Sequence, residues 1–239
     1  EAWAEFSVFK QAVTITAGKI DLTNYFDNNA SANDETSQFI SSAFVNSAAL
    51  PVPGNSPGVR FRTTVLDRFF VQFGIASIDN AGNDLFDDLF KIAGFGFRVF
   101  PNSDWEANLR FYGYQHPLAG EARGYGLSYD EAIAGTFNVF ARYNKNETGL
   151  AQWFGIESAW SFGARFVQTF AGRRTAVGIA YGETDPYHEG LQNEKLTEIY
   201  AMQQLNKWIH ISPHFQRVWQ ARGLSGRHTL LGFRTHFYF

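Results

Sequence analysis

The chain has no cysteine, so it carries no thiol nucleophile and no cysteine-based zinc site, and it suits an oxidising bacterial envelope. Long apolar runs are missing as well: none approaches the roughly 18 consecutive residues of a membrane helix. That argues against a helical anchor but not against a transmembrane β-barrel, whose strands need only about ten residues of alternating polarity. There is no basic surplus, the formal charge being -3, which argues against nucleic acid as a partner. The six histidines show no compact zinc-ligand spacing. His210 and His214 are four apart, which along a strand is about 13 Å. No Gly-Xaa-Ser-Xaa-Gly elbow is present, and the abundant carboxylates do not establish either glycosidase spacing, so an enzyme is not expected.

Aromatic residues are plentiful. With 25 Phe, 10 Tyr and 6 Trp they make up 17% of the chain, yet the mean hydropathy is only -0.24. The apolar and polar populations must therefore be separated in space. Phe69, Val71, Phe73 and Ile75 alternate with Arg68, Phe70, Gln72 and Gly74. Trp105, Ala107, Leu109 and Phe111 alternate with Glu106, Asn108, Arg110 and Tyr112, and Phe137, Val139, Ala141 and Tyr143 alternate with Asn138, Phe140, Arg142 and Asn144. Period two predicts strands with one apolar face and one polar face on which arginine recurs.

Thirteen strands are expected, over residues 2–9, 11–20, 59–66, 68–76, 89–100, 105–115, 122–132, 136–144, 153–168, 175–183, 194–206, 209–220 and 228–239. Their connections alternate in length. Tight ones fall around Lys10 and Asp67 and at 101–104, 132–135, 170–173 and 206–208, and long polar ones at 21–58, 77–88, 116–121, 145–152, 184–193 and 221–227. Short turns on one rim and long loops on the other are the pattern of an outer-membrane barrel. Residues 84–91, "DLFDDLFK", also admit a helical turn before their strand. Single-chain bacterial barrels have even strand counts, so an odd number leads to the expectation that at least one strand precedes Glu1. An export signal, which is not seen before Glu1, is expected in the protein as made.

In such a barrel the outward set is Ala4, Phe6, Val13, Ile15, Phe61, Val65, Phe95, Phe97, Phe137, Val139, Phe166, Val177, Ile179, Phe215 and Phe237. The inward set is Glu5, Arg60, Arg62, Gln72, Arg98, Arg110, Arg142, Glu157, Arg165, His214, Gln216, Arg234 and His236. One arginine on the lipid face near the midplane costs about 2–4 kcal/mol, so a row of them requires a water-filled interior. Trp105, Trp153, Trp160, Trp208 and Trp219 suit interfacial girdles or the lumen. Glycines at 94, 96, 113, 124, 126, 155, 163, 178 and 232 are expected to serve curvature or close packing. The C-terminal "LLGFRTHFYF" needs a partner strand, by closure or assembly, because an open edge of that composition aggregates.

Residues 21–58 are too long for an ordinary hairpin connection, which points to function or local folding. Their acids and amides, including Asp21, Asn24, Asp27, Asn28, Asn29, Asn33, Asp34 and Glu35, suit a segment that folds inward and narrows a pore. Asp27, Asn29, Asn33, Asp34 and Glu35 are also oxygen donors of the kind that hold a hard cation. A structural calcium is thus one expectation, and loop capping by hydrogen bonds is the stronger one.

The stretch "GKIDLTNYFDNNASANDETSQFISSAFVN", residues 18–46, resembles the signature segment of the carbohydrate-selective porin family, also called OprB-like. Further similar stretches are "GYGLSYDE" at 124–131, "NVFARY" at 138–143 and "LTEIYAMQQLNKWIHISPHFQRV" at 196–218, the last with His214 where the family carries Asp. The resemblance implies one all-β domain over residues 1–239, a transmembrane antiparallel β-barrel of the bacterial outer membrane. It implies sixteen strands in the complete protein with about thirteen represented here, and places 21–58 inside the pore. It further implies passive diffusion of small carbohydrates, with a general or inorganic-ion porin as the alternative and a structural barrel or adhesin as the second. No cofactor is required on this view. The implied partners are small sugars or ions, outer-membrane lipid and lipopolysaccharide, the outer-membrane assembly machinery and further copies of the chain. Lys19, Asp21, Asp27, Asn28, Asp34 and Glu35 are expected to organise the loop or eyelet, opposed by Arg60, Arg62, Arg110 and Arg142.

Overall fold

A computed structural model describes residues 2–9, 12–82 and 87–238. Its strands are β1 (Ala2–Val8), β2 (Val13–Ile20), β3 (Ser56–Val65), β4 (Phe69–Ser77), β5 (Leu89–Val99), β6 (Ala107–His116), β7 (Ala122–Ile133), β8 (Phe137–Asn146), β9 (Ile156–Phe170), β10 (Arg173–Pro186), β11 (Glu194–Gln204), β12 (Ile209–Trp219) and β13 (Arg227–Phe237). Each pairs with the next in one thirteen-stranded antiparallel meander. Among the described residues β1 and β13 do not pair with each other. Three tight connections, Leu66–Asp67, Ala134–Gly135 and Ala171–Gly172, hold two successive residues at positive φ. That is the signature of primed hairpin turns, whose twist matches the flanking strands.

All thirteen expected strands are present, most with ends within two or three residues of those read from the alternation. The longest helix, α3 (Thr148–Phe154), was not expected and occupies what the alternation assigns to loop and to the start of β9. It stops where Gly155 takes φ 84, the left-handed conformation that ends helices cheaply. Of the expected helical turn at 84–91, residues 84–86 lie outside the described residues, 87–88 form a bend and Leu89 already belongs to β5. The turn around Lys10 and the terminal Phe239 also lie outside them.

The two faces separate as the period-two pattern requires. Phe61, Val71, Phe73, Phe95, Phe97, Phe166, Val177, Ile179 and Phe215 are exposed, while Arg60, Gln72, Arg110, Arg142, Arg165 and His214, on the opposite parity of their strands, are buried. Glu157 is a correction. It pairs with Lys145 at 3.3 Å, on the outward parity of Tyr143, because a bulge at Asp185/Pro186 shifts the register at that end of β9. Exposed aromatics crowd both rims, with Phe100, Trp105, Phe170 and Trp208 on the short-turn side and Tyr125, Tyr143 and Trp160 on the long-loop side. Such girdles suit the two interfaces of a bilayer. Inside, rings pack against glycines of the neighbouring strand, Phe70 on Gly96, Phe140 on Gly163 and Tyr200 on Gly178, where any Cβ would collide.

Candidate functional site

The segment between β2 and β3 lies along the inner face of the sheet. Asp21 Oδ1 accepts from the backbone N–H and the hydroxyl of Thr23, at 2.9 and 2.6 Å, and so starts the short helix α1 (Thr23–Phe26). Leu22 and Phe26 then pack with Ile20, Phe90 and Ile92. Two glycines make the space. A Cβ on Gly74 would stand 3.0 Å from both Leu22 Cδ2 and Phe26 Cε2, and Gly94 also faces the Phe26 ring. Gly74→Val is therefore expected to destabilise α1 by about 1–3 kcal/mol through overpacking, without unpairing β4. Faster hydrogen exchange at residues 23–27 would show it; unchanged exchange would mean the fit has slack.

Further along, Asp34 closes a tight turn by accepting from Thr36 N (2.8 Å), the Thr36 hydroxyl (2.6 Å) and the Ser37 hydroxyl. Burial pushes its carboxyl up, but the hydrogen bonds from Ser37 and Thr36, helped by Arg234, outweigh burial and hold it below the usual range. The stabilisation it gives is thus present above the ordinary aspartate range and lost as the pH falls through the lowered value. Gln38 reaches back to bind Asn33 N (2.7 Å), Asp34 N (3.2 Å) and Ala30 O (2.9 Å). Past this turn Phe39, and Phe44 of the helix α2 (Ser42–Val45), join Phe140 and Tyr200 of the wall; the Phe39 ring centroid is 5.0 Å from that of Tyr200.

Two charged centres pin this path to the wall. The Asp27 carboxylate, fully buried, accepts from Tyr112 OH (2.8 Å) and Ser47 N (2.7 Å) and faces Arg142 Nε at 3.3 Å. Arg142 itself donates to the carbonyls of Phe44 (2.6 Å), Asp27 (2.9 Å) and Ala32. On the other wall Glu198 accepts from Ile40 N (2.9 Å) and Ser41 N (3.0 Å). His214 Nδ1 (2.8 Å) and Gln216 Nε2 (3.1 Å) also meet that carboxylate. Asn29 donates to Tyr129 O (2.9 Å), and Arg234 donates to the carbonyls of Glu35 (2.6 Å) and Gln38 (2.9 Å). Anchors on strands as far apart as β7 and β13 can meet one segment only if the sheet curls around it.

Open space remains on both sides. Towards the long loops a chamber of 580 Å³ is bounded by Ser42, Asn46, Thr184, Glu194 and Arg222. Towards the short turns a polar chamber of 450 Å³ is bounded by Asn24, Asn28, Asn33, Arg62, Arg98 and Arg110. In the second, Arg98 pairs with Glu106 (3.1 Å) and Arg110 with Asp130 (2.5 Å), while the Arg62 guanidinium lies 4.3 Å over the Phe70 ring.

The residues expected from the sequence thus divide. Arg62 and Arg110 border the polar chamber, with Asn28 opposite. Arg60 sits beside it, bonded to Gln72 (3.1 Å) and over the Tyr25 ring. Arg142 is a correction: it faces no open lumen but is buried under the segment as its clamp. Lys19 is another, since it shares the outward parity of Ile15 and is exposed beside the long loops, as is Lys91, with Lys145 half-buried on the same side. A lysine there can lay its stem on apolar surface and keep its ammonium in water. Asp21 and Asp34 cap turns, and Glu35 is exposed with its carbonyl, not its carboxylate, engaged.

The calcium donors do not fit their ion. Asp27 is taken up by Arg142, Tyr112 and Ser47, Asp34 by its own turn, and Asn29 by Ser31 N and Tyr129 O. Among the described residues no three His, Asp or Glu side chains converge as a metal-binding group. Asp130, Tyr112 and Asn144 were not singled out as site residues. Their inward parity on β6, β7 and β8 is the only signal that marks them.

An antiparallel meander with an aromatic outer face, a guanidinium-rich inner face and a chain segment folded across its interior is an outer-membrane β-barrel fold. Solved structures share it. The high-pH structure of Pseudomonas putida OprB, namesake of the family that the sequence resembles, matches 98% of this chain and 71% of that one, with TM-score 0.74 and 13% identity. Outer-membrane expressed OmpT of Vibrio cholerae (95% and 77%) and the outer membrane channel DcaP of Acinetobacter baumannii (95% and 81%) match at TM-score 0.52 and 10% identity. An uncharacterized protein of Aquifex aeolicus (strain VF5) is 27% identical over 237 residues, 99% of this chain and 67% of that protein. No protein-family model matches the chain.

Proposed function

We propose that the protein is a porin of the bacterial outer membrane through which small carbohydrates diffuse passively. One observation carries the reading: a segment pinned to the inner wall of a barrel-type sheet, with open chambers on both sides of it, the one towards the short turns polar. A pinned segment narrows the passage without closing it, so size is set by its fixed backbone and preference by the side chains left free. Solute then moves down its gradient, provided binding is favourable enough for entry and weak enough for release. Arginines around the lower chamber favour, as a second reading, a general porin that passes inorganic anions.

Liposome swelling with the full-length protein and a panel of neutral sugars, charged organic solutes and small ions tests both. Sugars of one or two rings are expected to enter, and larger ones to be excluded. Entry of ions alone would favour the second reading, and no flux from folded barrels would leave a structural barrel or adhesin.

A further inference from the structure

We propose that the short-turn-side chamber is a subsite for a polyhydroxylated acid, a sugar-sized solute that carries a carboxylate. The proposal rests on the porin reading, which brings solute to the chamber, and adds the charge and hydroxylation of what is held there.

Charge is the first observation. Four guanidiniums, of Arg60, Arg62, Arg98 and Arg110, stand against three carboxylates, of Glu5, Glu106 and Asp130. Arg98 and Arg110 each already hold one carboxylate. Arg62 has none within ion-pair distance among the described residues, and its Nε is buried without a partner. With its face on the Phe70 ring, 4.3 Å away, the guanidinium edge is the part left for a ligand. A planar fork backed by an aromatic ring is suited to a carboxylate, and the adjacent Arg98–Glu106 pair shows the same fork in use.

Hydrogen-bond capacity is the second. Asn28 and Asn33 border the same chamber, and the Oδ1 atom of each is buried without a protein partner. Unsatisfied acceptors and an unsatisfied cationic donor on residues that border one chamber call for a ligand with hydroxyl donors at one end and anionic oxygens at the other. Neither a bare anion nor a neutral sugar satisfies both. The volume of 450 Å³ is within the range of small-molecule sites and accommodates one such solute.

Chloride current through the full-length protein in a planar bilayer tests this, with gluconate, glucose and butyrate added in turn. Gluconate has the charge and the hydroxyls, glucose only the hydroxyls, and butyrate only the charge. The expected result is block by gluconate at a lower concentration than by either of the others. Arg62→Gln should raise the half-blocking concentration of gluconate about tenfold, the worth of one charged hydrogen-bonding partner, with Arg62→Lys intermediate. Asn28→Ala combined with Asn33→Ala should weaken block by gluconate and leave that by butyrate unchanged. Equal block by gluconate and butyrate, or a gluconate response untouched by Arg62→Gln, would overturn the subsite while the chloride current upholds a channel. Absence of any current from folded wild-type protein would overturn the porin reading and the subsite together.

Discussion

Asp27→Ala is expected to widen the passage: larger single-channel conductance, entry of sugars that the wild type excludes, and fast hydrogen exchange over residues 27–47. The Asp27 carboxylate is fully buried and holds three groups from three places, Tyr112 on β6, Arg142 on β8 and the Ser47 amide further along its own segment. Tyr112 keeps a second partner in Asn144, at 2.8 Å. Arg142 and Ser47 N do not fare as well, because the guanidinium loses the one carboxylate that it meets among the described residues, in a site where its side chain is 1% exposed. Removing one member of a buried ion pair costs about 3–5 kcal/mol, since the other charge stays behind without compensation. The strand pairing is untouched by the substitution, so the loss falls on the segment and not on the barrel. Asp27→Asn, which keeps the shape and two of the contacts, should lie between. A folded Asp27→Ala barrel with wild-type conductance and wild-type exchange over 27–47 would show that the segment is held elsewhere.

The strands are legible in the sequence because lipid on one side and water on the other impose opposite chemistry on alternate residues. Phe61 beside Arg60 and Phe95 beside Gly94 leave little choice of register, since a shift by one residue would put each arginine into lipid. What lies opposite an inward residue is not legible in the same way. Arg62 and Arg142 read alike, yet the first borders open space and the second lies under three carbonyls, a difference made by where residues 27–44 cross the wall. Lys19 is misplaced because its neighbours Asp21 and Asn24 draw it into the polar segment, whereas strand parity carries it to the outer face. Acid and amide composition suggests a cation site because composition does not show that Asp27, Asn29 and Asp34 already have donors within the protein. α3 is too short to display a helical period, and Gly155 at its end is the one local sign.

Glu198 is the second centre, and Glu198→Ala should free the opposite flank of the segment. Its carboxylate, fully buried, meets Ile40 N, Ser41 N, His214 Nδ1 and Gln216 Nε2 within 3.1 Å. Each buried group left unpartnered costs about 1–3 kcal/mol, so even after relaxation the loss is comparable with that at Asp27. Glu198→Gln distinguishes charge from volume. A carboxamide fills the space but offers one acceptor oxygen where two backbone donors and a side-chain amide converge, and its own NH₂ would face an N–H. It is therefore expected to behave more like alanine than like glutamate, unlike the conservative change at Asp27. Because Glu198 and its wall contacts lie on β11 and β12 and those of Asp27 on β6 and β8, each single substitution should loosen its own stretch first. In Glu198→Ala the amides of Ile40 and Ser41 should exchange quickly while residues 23–27 stay protected, and in Asp27→Ala the amide of Ser47 should be the first to exchange. Carrying both substitutions, the segment retains the packing of Phe26, Phe39 and Phe44 and the hydrogen bonds of Asn29 and Arg234 but neither buried carboxylate, and conductance should exceed the sum of the two single increases. Simple addition of the increases would mean that each pin holds its own stretch and that no collective release of the segment takes place.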